Sequence, residues 1–83
     1  MSVDAFTLGD IDARIDAADK RYGDFASSHE ALGVITEEYS ELIDAIRANS
    51  IIDIQHEALD LAAACIRLAM CLENKSTADR SVK

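Results

Sequence analysis

A chain of 83 residues with a formal charge of −8 fits one small domain and lacks the basic surface that attracts nucleic-acid polymers or anionic membranes. Alanine, leucine, isoleucine, aspartate and glutamate dominate, proline is absent and strand-type alternation is missing, so the expected class is all-α. Its two cysteines, Cys65 and Cys71, provide neither a disulfide framework nor a zinc site; they read as small buried residues in a reducing compartment. The N-terminus is acidic and polar with no secretory signal. The longest apolar run, "ALDLAAACIRLAMCL", is broken by Asp60 and Arg67 and is no membrane span. A cytoplasmic protein is expected.

The first helix is predicted from about Leu8 to Tyr22, capped by Thr7 or Asp10, with Leu8, Ile11, Ile15 and Ala18 as a narrow apolar stripe. Gly23 ends it and "GDFASS" is the linker. The second helix starts at Ser27 or Ser28, where Ser27 and Glu30 have capping-box spacing, and runs to about Ala48. Gly33 inside it costs roughly 1 kcal/mol against alanine, which implies close helix packing there. Asn49 suits a left-handed C-terminal residue, and Ser50 suits an N-cap with Asp53 three residues on. The third helix is expected from about Ile51 to Glu73. Residues 1–75 then form the domain, and 76–83 a polar, disordered tail.

The short turn predicts an antiparallel helical hairpin, to which the shorter N-terminal helix is added. The third helix is apolar around most of its circumference and too apolar to stand alone. A homodimer of four-helix-bundle type, or a dimer of dimers, is therefore expected.

The acidic residues do not follow a simple solvent-facing pattern. At about 100° per residue, Glu38 falls inside the apolar arc of the second helix, between Val34 and Ala45 on one side and Leu42, Ile35 and Ile46 on the other. Glu41 lies at the border of that arc, and Glu37 points outward with Ser40, Asp44 and Arg47. On the third helix Asp53, His56, Glu57, Asp60 and Arg67 form one narrow polar stripe. That stripe is either the helix's wet side or a seam facing other helices. A buried carboxylate must be neutralised, paired or bound to a metal. Glu38/Glu41 and Glu57/Asp60, each pair at i, i+3, can converge on one point and offer a hard divalent cation an oxygen shell. A di-iron site fits less well, because Asp60 stands where a Glu-x-x-His motif needs histidine.

Written out, the pattern is Glu37-Glu38-x-x-Glu41, fifteen residues, then Glu57-x-x-Asp60. It resembles the signature of the all-α nucleoside triphosphate pyrophosphohydrolases, the MazG-like superfamily, which includes dimeric dUTPases and phosphoribosyl-ATP pyrophosphohydrolases. The stretch "KRYGDFASSHEALGVITEEYSELIDAIR", followed by "EALDLAAACIRLA", looks like a compact branch of it. The resemblance implies Mg²⁺-dependent hydrolysis (Mn²⁺ being possible) of a (d)NTP to (d)NMP and pyrophosphate, as in house-cleaning of non-standard nucleotides. It implies Glu38, Glu41, Glu57 and Asp60 as metal ligands, and Glu37, the first glutamate of the motif, as an accessory catalytic residue. A metal so held can clamp phosphate oxygens and lower the pKa of a bound water. No Ser/His/Asp or Cys/His nucleophile is evident.

Basic groups are few. Arg67, Lys20 and Arg21 are candidate phosphate contacts. Against this, Arg67 can pair with Asp53, Glu57 or Asp60 of a neighbouring helix, and Lys20 and Arg21 suit a helix C-terminus without further function. His29 and His56 read as surface or structural residues. Tyr22 and Phe25 can stack on a base or simply pack. No residue set reads a particular nucleobase. The rival reading is a non-catalytic helical oligomerisation or interaction module with a vestigial or structural metal site.

Overall fold

The computed structural model describes the backbone of residues 2–82 and the side chains of residues 2–73. The chain is all-helical: α1 spans Ala5–Tyr22, α2 Ser28–Arg47 and α3 Ile51–Val82. No helix among the described residues is long and apolar enough to cross a membrane.

Local chemistry accounts for most boundaries. Asp4, not Thr7 or Asp10, caps α1: its side chain accepts from the Thr7 N–H at 2.8 Å. Asp is a strong N-cap, and Ala5 and Phe6 then extend the helix three residues upstream of the expected start. With 18 residues, α1 is nearly as long as the 20-residue α2. It ends at Gly23, whose φ of 72° suits a residue without Cβ and whose N–H donates to Asp19 O at 2.9 Å.

Ser27 and Glu30 open α2 as anticipated. Ser27 Oγ accepts from the Glu30 N–H at 3.1 Å, while Glu30 Oε1 accepts from Ala26 N–H at 3.3 Å. The return bond thus reaches one residue further back than in the usual capping box. Asn49 takes the left-handed conformation with φ 57°, and the Ser50 hydroxyl donates to Asp53 Oδ2 at 2.8 Å.

At its far end α3 departs from expectation. Its helical backbone runs to Val82, past Glu73. The expected stop was the loss of apolar residues, but "NKSTADRSV" contains neither proline nor glycine, so nothing local breaks the helix. The polar tail expected over 76–83 lies outside the described residues in its side chains, and at Lys83 in its backbone as well.

In the packing, α3 is central. Both α1 and α2 lie against it, and they do not pack on each other. Arg14 meets His56 and Asp60, Asp19 meets Arg67, and the Phe25 carbonyl meets Cys71. These contacts climb α1 and α3 in the same sense. The polar stripe of α3 is therefore partly a seam: Glu57, Asp60 and Arg67 are covered to different degrees, while Asp53 and His56 stay exposed.

Among the described residues the buried apolar set is small: Phe25, Ala31, Ala45, Ala63 and Ala64, with no large side chain fully enclosed. Two expectations fail here. Cys65 is exposed and Cys71 only half-buried, because neither α1 nor α2 covers all of α3. A Cβ built at Gly33 would meet nothing within 4 Å, so this glycine does not serve close packing within the chain. Much of α3 and α2 stays uncovered, with Ile51 73% and Ile52 78% exposed.

Arg67 compensates for so slight a core. Only 8% exposed, it donates from Nε to Asp19 Oδ1 at 3.0 Å and from Nη2 to Gly23 O at 2.7 Å. Its guanidinium also lies 4.6 Å from the centre of the Phe25 ring. One side chain of α3 thus holds α1, the cap that ends it and the linker beyond.

Removing the two partners should not be equivalent. Asp19→Ala leaves a buried cation without its counter-ion, whereas Arg67→Met leaves a half-exposed aspartate that water can serve. Asp19→Ala is expected to cost about 2–4 kcal/mol in chemical denaturation and Arg67→Met less than about 2 kcal/mol. The reverse order would refute this account of the seam.

Candidate functional site

Two helices bring the acidic residues together. Glu38 and Glu41 are one turn apart on α2, Glu57 and Asp60 one turn apart on α3. Carboxylate oxygens of Glu38, Glu41 and Glu57 lie within 4.8 Å of one another, and ligand atoms of His56, Glu57 and Asp60 form a second such group. Glu57 belongs to both. All four residues expected as ligands thus gather around one region, and His56 joins them.

The electrostatics of this region are unfavourable as they stand. Glu38 Oε2 and Glu57 Oε2 are buried and lack a hydrogen-bond partner. Among the described residues no ion pair reaches Glu38, Glu41 or Glu57. Burial, followed by the charges of Glu41, Asp60, Glu57 and Glu37, pushes the Glu38 carboxyl up to about 7. Glu41 is also raised, first by a hydrogen bond shared with Glu57 and then by desolvation and the neighbouring carboxylates.

Asp60 differs from the other three. The Arg14 guanidinium meets its Oδ1, and His56 Nε2 stands 3.5 Å from its Oδ2. Arg14 also pairs with Asp10 at 2.9 Å and donates to His56 Nδ1 at 3.1 Å and His56 O at 3.3 Å. Sequence reasoning missed Arg14, although a signal existed. It lies one turn from both Ile11 and Ala18, within the apolar stripe of α1, and a cation in that position calls for a partner.

Beside the acidic group is an open cleft of about 750 Å³, bounded by α1 and α2 and floored by α3. It exists because α1 and α2 do not pack on each other. Its walls are of opposite character: Arg14, Arg21 and Tyr22 come from α1, and Glu37 and Glu38 from α2, with Asp60, Ala63, Ala64 and Arg67 below. That volume suits a small-molecule ligand. Glu38 and Asp60 belong to both the cleft and the acidic group.

Other expected residues fall differently. Glu37 is exposed, as its outward direction implied, yet it lines the same cleft as Glu38. Arg21 lines the cleft and stacks over Tyr22, its cation 5.3 Å from the ring centre. Lys20 does not; it is exposed and pairs with Asp16 at 3.0 Å. Arg67 borders the cleft but its donors are held by Asp19 and Gly23, not by Asp53, Glu57 or Asp60. Phe25 is buried and packs. Comparison with family models, curated proteins and solved structures finds no match.

The raised carboxyl of Glu38 sets a pH dependence. Its folded value of about 7 lies above its ordinary 4.5, so between those values the folded chain holds more protons than the unfolded one. The resulting stabilisation is complete below the lower value and is lost as pH rises through the upper one. Without divalent cations, Glu38→Gln is expected to match the wild type near pH 5 and exceed it by on the order of 1 kcal/mol at pH 8, since solvent screening at this incompletely buried carboxyl reduces the full effect of the shift. Thermal denaturation across that range checks it; a constant offset would show that Glu38 does not carry the effect.

Proposed function

We propose that the chain is a divalent-cation-dependent nucleoside triphosphate pyrophosphohydrolase, converting a (d)NTP to (d)NMP and pyrophosphate in the cytoplasm. The observation that carries this reading is the pair of buried, partnerless oxygens, Glu38 Oε2 and Glu57 Oε2, in an acidic group at one side of a cleft with arginines on its other wall. Oxygens in that state are what a hard cation satisfies, and Glu38, Glu41, Glu57 and Asp60 are the residues to hold Mg²⁺ or Mn²⁺. When bound, the cation would neutralise phosphate charge and supply Lewis-acid polarisation at a phosphate oxygen. Resemblance to the MazG-like superfamily supplies the reaction type.

The chain's own residues have separable parts in this reading. Arg21, facing the cleft, meets the negative charge of the polyphosphate. Glu37 stands beside it as an accessory acidic group. Tyr22, 69% exposed at the cleft wall, offers an aromatic face to a base. Without a cation, Glu38 is able to keep a proton near neutral pH, which limits the repulsion among four carboxylates.

The finer architecture belongs to the same proposal. α2 and α3 form a helical hairpin with α1 alongside, and two copies join their long helices in a four-helix bundle. The exposure of Ile46, Ile51, Ile52, Met70 and Leu72 supports this, since a lone small domain seldom leaves so much large apolar surface in water.

A second reading has an observation in its favour: Arg14 already occupies Asp60, and Arg67 is committed to Asp19. On that reading the chain is a non-catalytic helical oligomerisation module whose acidic group is a structural metal site or a vestige.

Pyrophosphate release from a panel of NTPs and dNTPs with Mg²⁺ or Mn²⁺ separates the two. Turnover is expected for the wild type, with Glu38→Gln and Asp60→Asn lower by roughly 100-fold or more. Absence of turnover on every nucleotide would sink the enzyme reading. For the assembly, sedimentation equilibrium should report a dimer or a multiple of it, and Ile52→Glu should shift the population toward monomer; a monomeric wild type would refute the bundle.

A further inference from the structure

Arg14 is the feature that the proposed chemistry does not absorb. Among the described residues it is the one lysine or arginine paired with a member of the acidic group, through Asp60 Oδ1. A guanidinium is permanently charged and donates in a fixed fork. A divalent cation held by the same carboxylate would therefore sit within a few ångströms of a like charge, in partly buried surroundings where repulsion is poorly screened.

The surroundings of Arg14 allow it to let go of Asp60. Its Nε remains bonded to Asp10 Oδ1 at 2.9 Å, one turn back on its own helix, and its Nη1 also reaches His56 O at 3.3 Å. Neither contact requires Asp60. The side chain also borders two open spaces, the cleft of about 750 Å³ and a second cavity of about 550 Å³ near Ile52 and His56. A modest rotation can thus carry the guanidinium off Asp60 without leaving it buried and without a partner.

We propose that Arg14 is a resident substitute for the cation: it holds Asp60 while no metal is bound, and a divalent ion displaces it into the cleft, where it faces the phosphates. The inference rests on the metal-site reading and adds a sequence of events to it. Metal occupancy then does two things with one exchange. It frees Asp60 to act as a ligand, and it presents a second arginine beside Arg21 on the α1 wall. Arg14 in this account is a positioning residue, acting through Asp60 before it meets any substrate.

The test needs no turnover. Mn²⁺ alone is titrated calorimetrically into wild type, Arg14→Gln, Arg14→Lys and Asp60→Asn, with circular dichroism confirming that each is helical. Losing the competing charge should tighten Mn²⁺ binding by roughly tenfold in Arg14→Gln, with Arg14→Lys between it and the wild type. In the Asp60→Asn background the Arg14→Gln gain should vanish. In the unsubstituted protein, Mg²⁺ titration followed by side-chain NMR should shift the Arg14 guanidinium signals and speed their exchange with water.

Unchanged or weaker Mn²⁺ binding in Arg14→Gln, or Arg14 signals indifferent to Mg²⁺, would overturn the exchange while leaving the metal site intact. Absence of binding to the wild type and Arg14→Gln alike would overturn both, the site reading first.

Discussion

Arg67 brings together three parts of the chain that have little else in common. Its guanidinium lies inside the protein, and a buried cation demands an anion and acceptors for its donors. Asp19 on α1, the carbonyl of Gly23 and the ring of Phe25 meet that demand. A core made largely of alanines could not fix the angle of α1 by shape alone, since small side chains interlock weakly. The directional bonds of one arginine do so. They hold the end of α1 to α3 and fix where the linker turns, and hence where α2 starts its return.

The cleft follows from that arrangement. With α1 and α2 each tied to α3 and not to one another, space remains between them, and its walls take the character of the helices that face it. The α1 wall carries arginines and the α2 wall carries glutamates. Glu38 and Glu57 then leave carboxylate oxygens where neither water nor a donor reaches them. Such placement opposes stability, because like charges crowd a region of reduced dielectric. Natural proteins tolerate conflicts of this kind mostly where a site requires them. The proposed cation, and in its absence the Arg14–Asp60 pair, are two ways of offsetting the same excess of negative charge.

Much of the fold and part of the site were legible beforehand. Gly23, Ser27 and Asn49 each act through their own backbone or the next turn, and each was placed correctly. Glu38 stood out because a carboxylate inside an apolar arc contradicts helical periodicity, and Glu57 and Asp60 completed the pattern one helix away. Arg14 escaped notice although it breaks the stripe of α1 in the same manner. Partner choice was harder still. Arg67 reads as a phosphate contact or as a partner of Asp53, Glu57 or Asp60, yet its counter-ion is Asp19, which periodicity cannot reveal because the relative rotation of α1 and α3 is not written in either helix.

The amino-acid sequence by itself determined the helical class and the turn residues, because these depend on interactions spanning at most a turn or two; that the acidic pairs of two helices converge was one of two readings it left open. Only the tertiary structure decided the rest. Which arginine holds Asp60, that Glu37 lines the cleft beside Glu38, and that Lys20 does not line it are consequences of how rigid helices rotate and settle against one another. That choice is made by the summed packing and charge pairing of residues more than forty positions apart, such as Arg14 with Asp60 and Asp19 with Arg67.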